Sequence, residues 1–153
     1  MLFIRELTPC ENVHTPLMCA ALAGDTETVK TMLRRGASIN LRDNEGRTAL
    51  MFAVVNHHHA TVEAILQFGA DVNIQDCNGG TALMLAASGG DAEITQMLLN
   101  TGANFQACYV LTGKTAISLA AERGYSNIVE LIERKTVLKI HNRGLEMAQL
   151  KAA

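Results

Sequence analysis

Among 153 residues the chain has no tryptophan, two prolines and only 4% aromatics. Its core must therefore be built from Ala, Leu, Ile and Met, which suits closely packed short helices better than a ring-filled interior. Cysteine is sparse. Cys10, Cys19, Cys77 and Cys108 form no CxxC pair or other ligand spacing. A chain long enough for one domain with a sizeable core needs no disulfide staple. Reduced thiols, in the cytoplasm or alternatively the nucleus, follow as the expectation. Charge of one sign is also missing. The net value of −2 gives no basis for a nucleic-acid or acidic-membrane partner. No apolar run approaches a membrane span, and the opening MLFIREL is too short and too soon charged for a secretory signal.

What the chain has is a period. Thr15, Thr48 and Thr81 recur at intervals of 33, and Thr115 follows after 34. Gly36, Gly69 and Gly102 keep the same interval, each followed by alanine. Leu17, Leu50, Leu83 and Ile117 align in this register, as do Ala20, Ala53, Ala86 and Ala120. Four units result, at 10–42, 43–75, 76–108 and 109–135. The clearest copy, GADVNIQDCNGGTALMLAASGGDAEITQMLLNTG, reads as a turn, a short apolar helix, a Gly-Gly break and a second helix. One such unit cannot bury its own apolar faces, so neighbours must stack on it.

Local chemistry supports each boundary. Thr15-Pro16 is a helix start, with threonine as N-cap and proline where its missing N–H costs nothing. Gly24, Gly90 and Gly124 mark the ends of first helices, since glycine enters the left-handed region freely. Second helices carry apolar stripes at helical spacing: Val29, Met32 and Leu33; Val62, Ile65 and Leu66; Ile94, Met97 and Leu98; Ile128, Leu131 and Ile132. Asp43-Asn44-Glu45-Gly46 and Asp76-Cys77-Asn78-Gly79 are strong turn sequences between units.

These spacings, with the strings TPLMCAALAGD, GADVNIQD, TALMLAASGGDAEI and TAISLAAERGYSNIVELI, resemble ankyrin repeats over about four-fifths of the chain. The resemblance implies an all-α, single-domain solenoid of stacked helix-turn-helix units with projecting β-turn fingers. It also implies protein binding through a concave face and finger tips. The implied contact positions are Arg35 in the first unit and Asn44, Glu45, Arg47, Val55, Asn56 and Phe68 in the second. In the third they are Cys77, Asn78, Ser88 and Thr101, and in the fourth Lys114, Glu122 and Arg123. Phe68 reads as an aromatic anchor or as packing against the next unit. Met18, Met51 and Met84 stand where the family usually has histidine, so an inter-repeat hydrogen-bond network gives way to adaptable packing. The third finger, ANFQACYVLTGK, is one residue longer than the others. It carries Tyr109, Val110 and Leu111 in place of polar residues, which makes it a contact point or a self-packed loop.

The remaining candidates weigh differently. His57-His58-His59 has no Cys or carboxylate cluster to complete a tetrahedral set, so it reads as a polar loop, or as a pH-sensitive contact. Gly79-Gly80, Gly89-Gly90 and Gly113-Lys114-Thr115 lack the spacing of a phosphate loop. Serines 38, 88, 118 and 126 fall in unrelated repeat positions, and no nucleophile, base and orienting group assemble. The expectation is no catalytic, cofactor or metal site. Residues 1–9 read as an N-terminal cap or a disordered arm. Residues 136–153 leave the register and read as a C-terminal cap, with Leu145, Met147, Ala148 and Leu150 in a last short helix closing the stack, or as a tail. A basic end (Lys114, Arg123, Arg134, Lys135, Lys139, Arg143, Lys151) is a solvated edge or steers an acidic partner. The overall reading is a monomeric protein-interaction module. The alternative is an adaptor or inhibitory subunit acting through the third finger and basic end, with a small enzyme or nucleotide binder behind both.

Overall fold

Thr15, Thr48, Thr81 and Thr115 each cap a helix in the same way. Their hydroxyls accept the backbone N–H three residues on, at 3.2, 3.4, 3.3 and 3.4 Å. The helices they open in the computed structural model, which describes residues 14–152, are α1 (Pro16–Ala23), α3 (Ala49–Val55), α5 (Ala82–Gly89) and α7 (Ala116–Glu122). Each is followed by a partner: α2 (Thr26–Arg34), α4 (His59–Gln67), α6 (Ala92–Asn100) and α8 (Ser126–Ala152). Gly24, Gly90 and Gly124 make the turns between partners at φ of 72°, 79° and 79°. His57 occupies the equivalent place in the second repeat at φ 56°, the one non-glycine residue with positive φ among those described.

The eight helices form two rows. α1, α3, α5 and α7 pack in sequence along one row, α2, α4, α6 and α8 along the other, and each first helix packs on its own partner. Buried Leu17, Leu50 and Leu83 and buried Ala20, Ala53, Ala86 and Ala120 hold the first row together. Val29 and Leu33, Val62 and Ile65, Ile94 and Leu98, and Ile128 and Ile132 fill the second. Met32, Leu66, Met97 and Leu131, expected in the same stripes, are only half-buried. Ile117 is half-buried too, since α7 is the last helix of its row among the described residues.

Methionine at positions 18, 51 and 84 is core, at most 2% exposed. Polar links between repeats run elsewhere. Asn40 and Asn73 side-chain oxygens accept the N–H of Asp71 and Asn104 at 2.9 and 2.7 Å. The hydroxyls of Thr26 and Thr61 meet at 2.8 Å.

The C-terminal stretch departs from expectation. Residues 136–152 do not form a separate helix folded over the stack; they continue α8 without a break. Nothing between Ile132 and Leu145 stops a helix, since no proline intervenes and Gly144 sits inside the helix with open space around it. Leu145, Met147 and Leu150 are consequently exposed. The N-terminal cap or arm assigned to residues 1–9 lies outside the described residues.

Candidate functional site

The fingers are joined to one another edge to edge. In the first, the buried Asp43 carboxylate closes the loop by accepting the N–H groups of Glu45 and Arg47 at 2.9 and 2.8 Å and the Arg47 Nε–H at 2.9 Å. Burial works to raise the Asp43 pKa. The Arg47 and Glu45 hydrogen bonds and the Arg47 charge outweigh it and hold the carboxyl below its ordinary 3.8. Asp76 closes the second finger in the same manner, accepting from Asn78 and Gly80 at 2.8 Å each. Between fingers, the Cys77 N–H donates to the Glu45 carbonyl at 2.8 Å and the Val110 N–H to the Asn78 carbonyl at 2.9 Å. Arg42 spans the first gap, donating to the Gln75 carbonyl at 2.7 Å.

The third finger has Tyr109 where the others have aspartate. It keeps only the backbone bonds that also close the first two fingers: Tyr109 N–H donates to the Lys114 carbonyl at 3.0 Å and Gly113 N–H to the Tyr109 carbonyl at 2.8 Å. Tyr109 is half-buried, with its ring over Gly80, where a β-carbon would lie 2.9 Å from it. Burial, with the Asp76 charge in addition, raises its phenol pKa. Tyr109 is thus self-packed, and the free tip of this finger is Val110 and Leu111, 75% and 90% exposed.

Turns of two or three residues, such as Asn56–His58, send each second helix back antiparallel to the first. This splits the expected contact positions into separate rows. Asn44, Glu45, Cys77 and Asn78 are exposed on the finger tips. Val55, Ser88 and Glu122 repeat at the C-terminal ends of α3, α5 and α7, with Asn56 and Arg123 just beyond as caps. Arg35, Phe68 and Thr101 repeat at the C-caps of α2, α4 and α6, the opposite end of each helix pair. Arg35 accordingly shares an open groove of about 470 Å³ with Thr15 and Pro16 at the start of α1. Phe68 is 40% exposed there and belongs to a different edge from Val55.

Arg47 is committed internally. It binds Asp43, pairs with Glu45 at 3.0 Å and lies 4.9 Å over the Phe52 ring. Lys114 is paired with Glu122 at 2.7 Å. Leu22, 43% exposed, continues the Val55 row into the first repeat. The sequence reading missed it, although its spacing of 33 from Val55 was the available signal.

The histidine triplet is a connector between repeats. His58 Nε2 lies 3.0 Å from the Leu22 carbonyl, while His57 Nδ1 and His59 Nε2 lie 2.9 and 2.8 Å from one oxygen of Asp91. The other Asp91 oxygen caps α6 through the Ile94 N–H at 2.9 Å. Burial would raise the Asp91 pKa; the Ile94 N–H and the two histidines outweigh it, and the net shift is downward from 3.8. Among the described residues no three His, Cys, Asp or Glu side chains are grouped to hold a metal ion. Among the same residues no helix is long and apolar enough to cross a membrane.

A solenoid of stacked helix pairs with linked fingers is the architecture of a repeat-type binding scaffold. The chain belongs to the ankyrin-repeat family: a model of ankyrin repeats (3 copies) matches residues 2–76 and 60–141. It is 38% identical over 134 residues to the ankyrin repeat and KH domain-containing protein mask of Drosophila melanogaster. That match takes in 86% of this chain and 2% of the relative, so the chain spans a small fraction of that protein's length. It is also 42% identical over 50 residues to the putative ankyrin repeat protein RF_pd14 of Rickettsia felis, covering 33% of this chain and 76% of that one. Ankyrin repeats are generally protein–protein interaction modules.

Proposed function

We propose that the chain is a non-catalytic protein-binding module of the cytoplasm or nucleus that holds its partner along the finger tips and the C-terminal ends of α1, α3, α5 and α7. The observation carrying this reading is the row Leu22, Val55, Ser88, Glu122. It sits on a rigid hydrogen-bonded scaffold and runs from two exposed apolar side chains to a polar and an acidic one. Such a row suits an extended segment with apolar residues at one end and a basic residue at the other. The Glu122 carboxylate is shared with Lys114, so a partner's basic group competes for it. Phe68 and Arg35 form a secondary edge, and Arg47 supports the surface by shaping the first finger.

The test compares wild type with L22D/V55D in quantitative affinity isolation from the native source. Both positions are surface-exposed, so the variant keeps its helical circular dichroism. A protein captured by wild type and lost from the variant supports the assignment; equal capture by both overturns it.

A second reading, an adaptor or inhibitory subunit of an enzyme complex, is favoured by the Val110–Leu111 tip. An L111S variant that releases the partner while L22D/V55D retains it would move the site to the third finger. Thermal-shift titration with nucleotides and common metals tests the small-ligand alternative, for which saturating ligand must raise the melting temperature.

A further inference from the structure

The first and last described repeats differ from the middle ones in opposite ways. Ala49, Ala82 and Ala116 each follow a threonine cap and are at most 2% exposed, whereas Pro16 in the same position of the first repeat is exposed. Ile65, Leu98 and Ile132 are at most 1% exposed, whereas Met32 in their register is only half-buried. Ala116 and Ile132 stay buried in the last described repeat, so these positions face the preceding unit. Leu17 and Ile117 show the reverse: Leu17 is 3% exposed, and Ile117 is half-buried. Among the described residues, nothing covers the leading face of the first repeat.

That face is the open groove of about 470 Å³ beside Thr15, with Pro16, Met32 and Leu41 in its lining and Arg35 as the charged group there. A dry cavity of about 150 Å³ holds a benzene ring, so this groove has room for an aromatic and an aliphatic side chain together. Leu41 is 49% exposed, while its equivalent Ile74 is half-buried. Among the described residues the arginines in ion pairs are Arg47 and Arg134, not Arg35. The chain carries a segment of matching chemistry just ahead of the groove. Residues 2–7 read LFIREL, four large apolar side chains with Glu6 among them. Glu6 and Glu11 against Arg5 leave residues 1–13 with one net negative side chain, opposite in sign to Arg35. The seven residues between Leu7 and Thr15 span at most about 25 Å, ample to lay the segment along a groove that Thr15 itself lines. The ankyrin-repeat match also begins at residue 2, which puts this stretch inside the repeat pattern.

We propose that residues 2–7 seat in this groove, with Phe3 among Pro16, Met32 and Leu41 and Glu6 against Arg35, so that the chain covers its own first repeat. A leading repeat needs such a cover, because its apolar face otherwise meets water. The seat withdraws Arg35 from the secondary partner edge. It uses none of Leu22, Val55, Ser88 and Glu122, so it and the proposed partner surface can fail separately.

The absence of tryptophan makes the test direct, since F3W puts a single indole in the segment. In the folded full chain its emission should lie at shorter wavelength than in urea and resist acrylamide quenching, equally at about 1 and 100 µM. L41D and R35E, each added to F3W, should shift emission and quenching toward the values in urea. Adding E6R to R35E should recover the protection that R35E loses. Leu41 and Arg35 are exposed, so unchanged helical content by circular dichroism is expected in these variants. An indole as accessible in the folded chain as in urea would overturn the proposal. Protection indifferent to L41D and R35E would also overturn it, by placing the segment elsewhere. Protection that grows with concentration would give the groove to a second copy and overturn it too.

Discussion

His57 carries two opposing effects on one side chain. Its backbone sits at φ 56°, in the left-handed region, at a register position held by glycine in the other three repeats. A β-carbon there costs about 1 kcal/mol. Its ring offsets part of that cost through the bond to Asp91, which is half exposed and so worth less than a buried one. Two substitutions separate these effects. H57A removes the ring and keeps the strain, whereas H57G removes both. Urea denaturation should rank H57G above H57A by about 1 kcal/mol, after allowing for the greater flexibility of unfolded glycine. Equal stabilities would mean that the turn relaxes without strain.

At the scale of the helix, position in the stack sets the value of a side chain. Leu83 in α5 and Ile117 in α7 are equivalent residues on first-row helices. Leu83 is 0% exposed between repeats on both sides, while Ile117 has a neighbour on one side only and is half-buried. L83A should cost about 2–5 kcal/mol in a reversible urea melt, as a core truncation with its cavity. I117A should cost less than half as much, because solvent already reaches the site and the helix can relax toward the open end. A loss under about 0.5 kcal/mol for L83A would contradict its burial.

For the molecule as a whole, acid stability should follow its aspartates. Asp25, Asp43 and Asp91 all have pKa values below 3.8, Asp25 through the hydroxyl and N–H of Thr28. The unfolded chain then binds more protons than the folded one as pH falls past 3.8. Their contribution is complete above that value and disappears as pH drops through the folded values. Urea midpoints of wild type and D43N should therefore converge between about pH 5 and 2, because protonation removes from wild type the interaction that the variant already lacks. A gap that stays constant over that range would show that the Asp43 charge contributes nothing.

The order of residues by itself determined the period, the helices and their ends. Threonine caps, glycine turns and apolar spacing act over a few residues, so Thr15, Gly24 and the Val29–Leu33 stripe are legible locally. The closed turns at Asp43 and Asp76 were legible for the same reason. Other features depend on which residues meet across a repeat, a separation of about 33 that no local pattern encodes. Only packing brings Asp91 to His57 and His59, turns Tyr109 onto Gly80 and commits Arg47 to Asp43 and Phe52. The antiparallel run of each helix pair likewise separated Phe68 from Val55, which sequence register had placed in one surface. α8 shows both sides of this division. Its sequence can remain helical to Ala152, but only packing decides that Ile128 and Ile132 are buried while Val137, Ile140 and Leu150 face water among the described residues.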